Sequence, residues 1–196
     1  MDNTHLVFPT PIESARLILR SYQPGDGKWY YAMSLKNRQH LMQFEADNVA
    51  VNIASEGEAE LLMQDLSNEW ARGNCFFIGA FTKATGDFVA QVYVGVNDRK
   101  LPEFEIGYFA EVDHEGQGYV TEAVRATLAV LFTQLNAHRV RLGVSDTNLR
   151  SIRVAERCGM VREGHLRENR RLPDGTYTSS FIYGLLKDEF QPLSES

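Results

Sequence analysis

Residues 104–132 read FEIGYFAEVDHEGQGYVTEAVRATLAVLF. An apolar strand carrying a glutamate runs into Glu-Gly-Gln-Gly and then directly into a long apolar helix. Gly116 and Gly118 let successive main-chain amides turn toward one point without Cβ interference. The helix that follows adds its own unpaired N–H groups and the positive end of its dipole. Together they can hold phosphate oxygens. A glycine pair before a helix also makes ordinary tight turns, so the motif alone leaves both readings open. The spacing matches neither GxxxxGK[ST] nor GxGxxG, which disfavours phosphate-loop and dinucleotide sites.

Working outward, a chain of 196 residues suits one sizeable domain. A 43% hydrophobic and 23% charged composition is that of an ordinary globular protein. No apolar run is long enough for a membrane span, and the start MDNTHLVFPTP lacks the pattern of a secretory leader. The expectation is a cytoplasmic protein with no membrane partner. Cys75 and Cys158 form no CxxC, and His5, His40, His114, His138 and His165 show no metal-ligand spacing, so no metal is expected.

Net charge is −6, unevenly spread. Residues 45–69 hold seven carboxylates and no Lys or Arg, whereas residues 138–171 hold nine Arg against four acids. Such a division could serve an anionic cofactor and a cationic substrate, or simply form two solvated faces. The acidic balance argues against nonspecific nucleic-acid binding.

ARLILRSY (15–22) alternates as a strand and ends at PGDG. A first helix follows in GKWYYAMSLKN. The next spans 55–73, with Ser55 and Glu58 as a capping box and Gly73 as its stop. CFFIGAFTKATGDFVAQVYVGVN is a hairpin turning at KATGD, and EFEIGYFAEV is another strand. The helix from about Gly118 to Leu135 carries a stripe of Val120, Val124, Leu128, Leu131 and Leu135. HRVRLGVSD is a strand, Asn148 to Gly159 a short helix, and 164–188 two strands around PDG. A mixed sheet with helices on both faces follows.

FEIGYFAEVDHEGQGYVTEAV, followed by NLRSIRVAERCGM, resembles the GNAT superfamily of acyl-CoA-dependent N-acetyltransferases. ARLILR and EGHLRENRRLPDGTYTSSFIYGLL are similar to its RimJ/RimL branch, which acetylates ribosomal-protein N-termini. The resemblance implies a single GNAT-like domain of α/β (α+β) class, with a mostly antiparallel mixed sheet of about seven strands. Residues 12–187 would be its core, and 1–11 and 188–196 terminal extensions. It implies acetyl-CoA as cofactor, its pyrophosphate on the amides of Gly116, Gln117, Gly118, Tyr119, Val120 and Thr121. The pantetheine arm would pair with the open strand edge near Phe109, Ala110 and Val112. The sequence departs from the family pattern at Glu115, in place of Gln/Arg, and at Val120, in place of Gly/Ala.

Acyl transfer to an amine needs a base for the amine proton, stabilisation of the developing oxyanion and a proton for the thiolate. Glu103, Glu105, Gly107 and Phe109 share one strand face. Partial desolvation would suit Glu105 to the base, and an ion pair with a neighbouring arginine is the structural alternative. The resemblance favours the base, acting directly or through water. The tyrosine that many relatives use as acid is replaced by Ala155, which leaves Ser151. Asn148 would cap the helix and meet the pantetheine arm; Arg150, Arg153 and Arg157 share a helical face, with Arg153 a cofactor contact. Cys158 is expected to be a core thiol. Acceptor contacts are expected from Trp29, Tyr30 and Phe44. The acceptor is a protein N-terminus or, alternatively, a small amine or polyamine; a non-catalytic CoA-binding module is a further alternative. Monomer and homodimer both remain open.

Overall fold

Ser55 begins the best-defined helix: its extended backbone and its Oγ, which accepts the Glu58 N–H at 3.2 Å, start a helix that Gly73 ends at φ +67°. In this computed structural model, which describes residues 6–46, 48–172 and 174–192, that helix is α2 (Glu56–Arg72). The expected residues His5, Asp47 and Pro173 lie outside the described residues.

The elements run β1 (Ile12–Glu13), β2 (Leu17–Ser21), α1 (Gly27–Met42), α2, β3 (Cys75–Thr82), β4 (Phe88–Asp98) and β5 (Glu103–Ala110). Then come α3 (Tyr119–Thr133), β6 (Arg139–Ser145), α4 (Leu149–Arg157), β7 (Val161–Arg171) and β8 (Tyr177–Leu186), with short 3-10 turns at Val112–His114 and Lys187–Glu189. One sheet has the order β1-β2-β3-β4-β5-β6-β8-β7, antiparallel throughout except for β5 beside β6. It has eight strands where about seven are expected; the addition is the two-residue edge strand β1, too short to read by alternation.

The sheet separates two apolar clusters. Against α3 and α4 lie Leu17, Ile78, Val92, Ile106, Val124, Leu128 and Leu131; against α1 and α2 lie Tyr22, Tyr30, Met33, Met63 and Phe109. Strand β4 is buried on both sides for most of its length, which explains its unbroken apolar sequence. The core also extends beyond 12–187. Phe8, only 2% exposed, packs on Trp70 and Phe76, and Phe190 stacks on Phe132. Phe8 and Phe190 are thus anchored by aromatic burial. Among the described residues no helix is long and apolar enough to cross a membrane.

The acidic segment is largely consumed internally. Glu60 accepts the Gly25 and Gly27 N–H groups at 2.7 and 3.1 Å, Glu58 accepts Ala54 N–H at 2.9 Å, and Glu69 meets Asn74 and Arg72.

Helix α1 fixes the entrance to the glycine turn. Asn37 Oδ1 accepts the Val112 N–H at 2.8 Å, and the buried Glu111 carboxylate takes Lys36 at 2.8 Å, His114 at 2.7 Å and the Asp113 N–H at 2.9 Å. Burial opposes ionisation of Glu111, but Lys36, His114 and the Asp113 amide outweigh it and hold its carboxyl below the ordinary range. A lowered folded pKa adds stability that is complete above the unfolded carboxylate value, about 4.3, and is lost as pH falls through the folded one. Glu111→Gln should cost about 1–3 kcal/mol in urea unfolding at neutral pH and flatten the acid limb of stability against pH. A variant as stable as the parent, with an unchanged acid limb, would contradict this.

Candidate active site

Strands β5 and β6 pair only at Glu103–Arg139, Phe104–Val140 and Glu105–Arg141. Beyond this, β5 stays with β4 as far as Ala110–Ala90, and β6 stays with β8 as far as Ser145–Ser180. The two halves of the sheet therefore diverge from a common root, leaving a wedge between strands that are each still supported on the far side. Main-chain groups facing the wedge have no ladder partner and call for one. The Tyr108 hydroxyl reaches across and donates to the Ser151 carbonyl oxygen at 2.7 Å, fixing the opening between β5 and α4.

A cleft of about 840 Å³ lies at the open end of the wedge. Its walls are Tyr108, Phe109 and Ala110 of β5, the glycine turn with the first turn of α3, and the start of α4, with His40 and the segment after α1 across the mouth.

Gly116 and Gly118 sit at φ +73° and +80°, where an L side chain is strained. Gly118 is the N-cap of α3 and supplies no capping side chain. No protein acceptor among the described residues takes the main-chain N–H groups of residues 116–121. The only first-turn acid, Glu122, is turned outward: its carboxylate accepts the Arg16 Nε–H at 2.7 Å, the Arg16 main-chain N–H at 2.8 Å and the Ser14 hydroxyl at 2.8 Å. Arg16 also donates to the Gln117 carbonyl oxygen at 3.2 Å and lies 4.4 Å over the Tyr119 ring. The turn is clamped from outside while its inner donors stay available. Glu115 is likewise engaged, ion-paired to Arg150 and 3.3 Å from His40 Nε2, which offsets the repulsion its charge would bring to an anion.

Of the expected cofactor contacts, Phe109, Ala110, Gly116, Gly118, Tyr119, Val120, Thr121, Asn148 and Arg153 line the cleft, and so do Phe44 and Ser151. Asn148 caps α4 through Oδ1, which accepts the Ser151 N–H at 3.1 Å. Val112 does not line the cleft and gives its N–H to Asn37; Gln117, expected to contribute its main-chain amide, keeps its side chain at the Asp113 carbonyl oxygen, 3.3 Å away. Trp29 and Tyr30 do not line the cleft either. They belong to the second apolar cluster, Trp29 donating to Asp26 at 2.8 Å and Tyr30 donating to the Gln91 side chain at 3.2 Å. Glu105 also stands off the cleft. It is 41% exposed and holds Arg141 at 2.7 and 3.2 Å, so the ion pair, and not a desolvated base, is what the strand builds there. Cys158 is a core thiol: burial, only partly opposed by Arg125, pushes it up to about 11.

The residue that sequence reasoning missed is Glu45. It follows α1, lines the main cleft and also borders a smaller chamber between the splayed strands. Burial pushes its carboxyl up to about 7, against the opposing pull of the Asn48 hydrogen bond and the Arg170 charge. Its one signal in sequence was membership of the acidic segment, where six similar carboxylates masked it.

A family model described as acetyltransferase (GNAT) domain matches residues 16–161. The chain belongs to the GNAT acetyltransferase family. It is 25% identical over 179 residues to the "Probable N-acetyltransferase YjcK" of Bacillus subtilis, covering 91% of this chain and 98% of that protein. It is 27% identical to the spermidine N(1)-acetyltransferase of Vibrio cholerae, over 79% of this chain and 84% of that one. In fold it is similar to Mycobacterium smegmatis RimJ in complex with CoA-disulfide: TM-score 0.79, 23% identity, 92% of this chain and 85% of that chain. As a GNAT enzyme this acetyltransferase takes its acetyl group from acetyl-CoA. The residues present fit that cofactor: the unpaired amides of 116–121 suit a diphosphate, and the unladdered edge of β5 suits an amide-bearing arm.

Gly118→Ala adds a Cβ whose nearest neighbour would be Arg16 Nη2 at 3.6 Å, an ordinary contact, so its effect comes through backbone strain. With about 1–2 kcal/mol of strain at that φ, the affinity for coenzyme A should fall roughly tenfold in calorimetry. Undiminished affinity would show that the turn does not bind the cofactor.

Proposed function

We propose that this acetyltransferase acts on the α-amine of a protein N-terminus. The observation that carries the transfer reaction is the wedge between β5 and β6, which meets the uncapped start of α3 at one end and a chamber at the other. Cofactor and acceptor can then approach the same point from opposite sides, as direct transfer requires. Support for a protein acceptor comes from a relative curated as "Putative ribosomal N-acetyltransferase YdaF" of Bacillus subtilis, 25% identical over 89% of this chain.

When bound, acetyl-CoA supplies a thioester carbonyl carbon open to attack by an amine. The amides of 116–121 hold its diphosphate, and the free edge of β5 near Phe109 and Ala110 orients its arm. Arg153 and Arg157, on the α4 face that lines the cleft, add positive charge beside the phosphates. Ser151 borders both cavities at the first turn of α4, which supports its hydroxyl as the group that protonates the leaving thiolate.

The test is acetyl-CoA turnover against peptides with free N-termini, the same peptides with blocked N-termini, and spermidine. Turnover of free peptides alone is expected. Turnover confined to spermidine would replace the acceptor, and turnover of no amine would overturn the function.

A further inference from the structure

The chamber between the splayed strands, about 100 Å³, is bounded by Gly107, residues 142–145 of β6 and Arg170 of β7. It shares five wall residues with the larger cleft: Phe44, Glu45, Tyr108, Asn148 and Ser151. These mark the boundary between the two spaces. Two of the five titrate. Tyr108 is buried, which pushes its hydroxyl up, and it donates to the Ser151 carbonyl oxygen; it therefore stays protonated and engaged. The other carboxylate on the cleft wall, besides Glu45, is Glu115, which is ion-paired to Arg150. Glu45 is the carboxylate at the boundary, steadied by Asn48 Nδ2 at 2.8 Å.

Resting on the acetyltransferase function above, we propose that the chamber is the acceptor-amine port and that Glu45, not Glu105, is the base that takes the amine proton. The acceptor ammonium gives one proton to the Glu45 carboxylate. Its nitrogen lone pair forms the C–N bond to the acetyl carbon as the C–S bond breaks, the electron pair staying on sulfur. The second nitrogen proton replaces the one that the Ser151 hydroxyl gives to that sulfur, the third stays on the amide, and Glu45 releases its proton to water.

The groups facing Glu45 set when it can act. Burial raises it to about 7, with Asn48 on its own segment and Arg170 of β7 pulling it down; Tyr108 faces it from β5, and His40 and Glu115 line the adjoining cleft. A base of that strength is matched to α-amines. Their ordinary pKa of about 8 makes the proton transfer uphill by about tenfold, against more than about a thousandfold for an alkylamine near 10.4.

The experiment is a pH–rate profile of kcat/KM for the intact protein, E45Q, E45D, R170Q and E105Q with a free-terminus peptide. It is accompanied by calorimetry with coenzyme A and a ¹³C-carboxyl NMR titration without any ligand. The unaltered protein should gain rate with pH through an ionisation near neutrality, and the same ionisation should appear in the NMR titration and vanish in E45Q. E45Q should bind coenzyme A normally yet lose about 10²–10³-fold in kcat. E45D should recover part of the rate, and R170Q should move the ionisation to higher pH. Retention of the limb and of kcat by E45Q overturns the proposal, as does loss of the limb in E105Q alone. Loss of coenzyme A binding by E45Q also overturns it, by making Glu45 a structural residue. No turnover of any amine by the unaltered protein sinks the transferase function and the base with it, whereas turnover by E45Q with the same profile removes the base alone.

Discussion

A parallel ladder that stops after three residue pairs organises this molecule. Strand β5 parts from β6 while each goes on pairing with its other neighbour, β4 and β8 respectively. Backbone hydrogen bonding is obligatory in a buried setting, so the open edges create a demand that a bound chain can satisfy. The cleft follows from this topology together with the glycine turn and the segments that border it. Tyr108 then spans the opening to the Ser151 carbonyl oxygen, so the gap is held at a set width.

Charge is arranged around that gap so that carboxylates near the glycine turn are occupied. Glu122 is held by Arg16 and Ser14, Glu115 by Arg150 and His40, and Glu111 by Lys36 and His114. Each pair does two things: it removes a repulsive charge from the anion's approach and ties the glycine turn to a neighbouring element. Arg16 ties the turn to β2, Arg150 to α4, and Lys36 to α1. Rigidity of the turn matters because main-chain donors act as an anion site only when several point together.

The parts of this architecture that local chemistry controls were legible in the sequence. Ser55 and Gly73 bound α2, the KATGD turn separates β3 from β4, and the apolar stripe identifies α3. Gly116 and Gly118 disclosed their positive φ because few other residues tolerate it. Roles set by distant partners were not legible. Trp29 and Tyr30 are aromatic and close to a turn, as ligand contacts often are, yet their polar ends are spent on Asp26 and Gln91. Glu105 has the strand position expected of a base, but β6 places Arg141 beside it. Glu45 gains its character only when the segment after α1 comes to lie beside Arg170 of β7 and burial takes water away from its carboxyl, an event no spacing rule encodes.

Amide-resolved NMR of the ¹⁵N-labelled protein titrated with coenzyme A examines the shared origin of these features. The account requires the N–H signals of Gly116, Gly118, Tyr119, Val120 and Thr121 to move together with those of the open β5 edge at Phe109 and Ala110, at one common affinity. Saturable binding that leaves those amides unmoved, with perturbation elsewhere on the sheet, would contradict it.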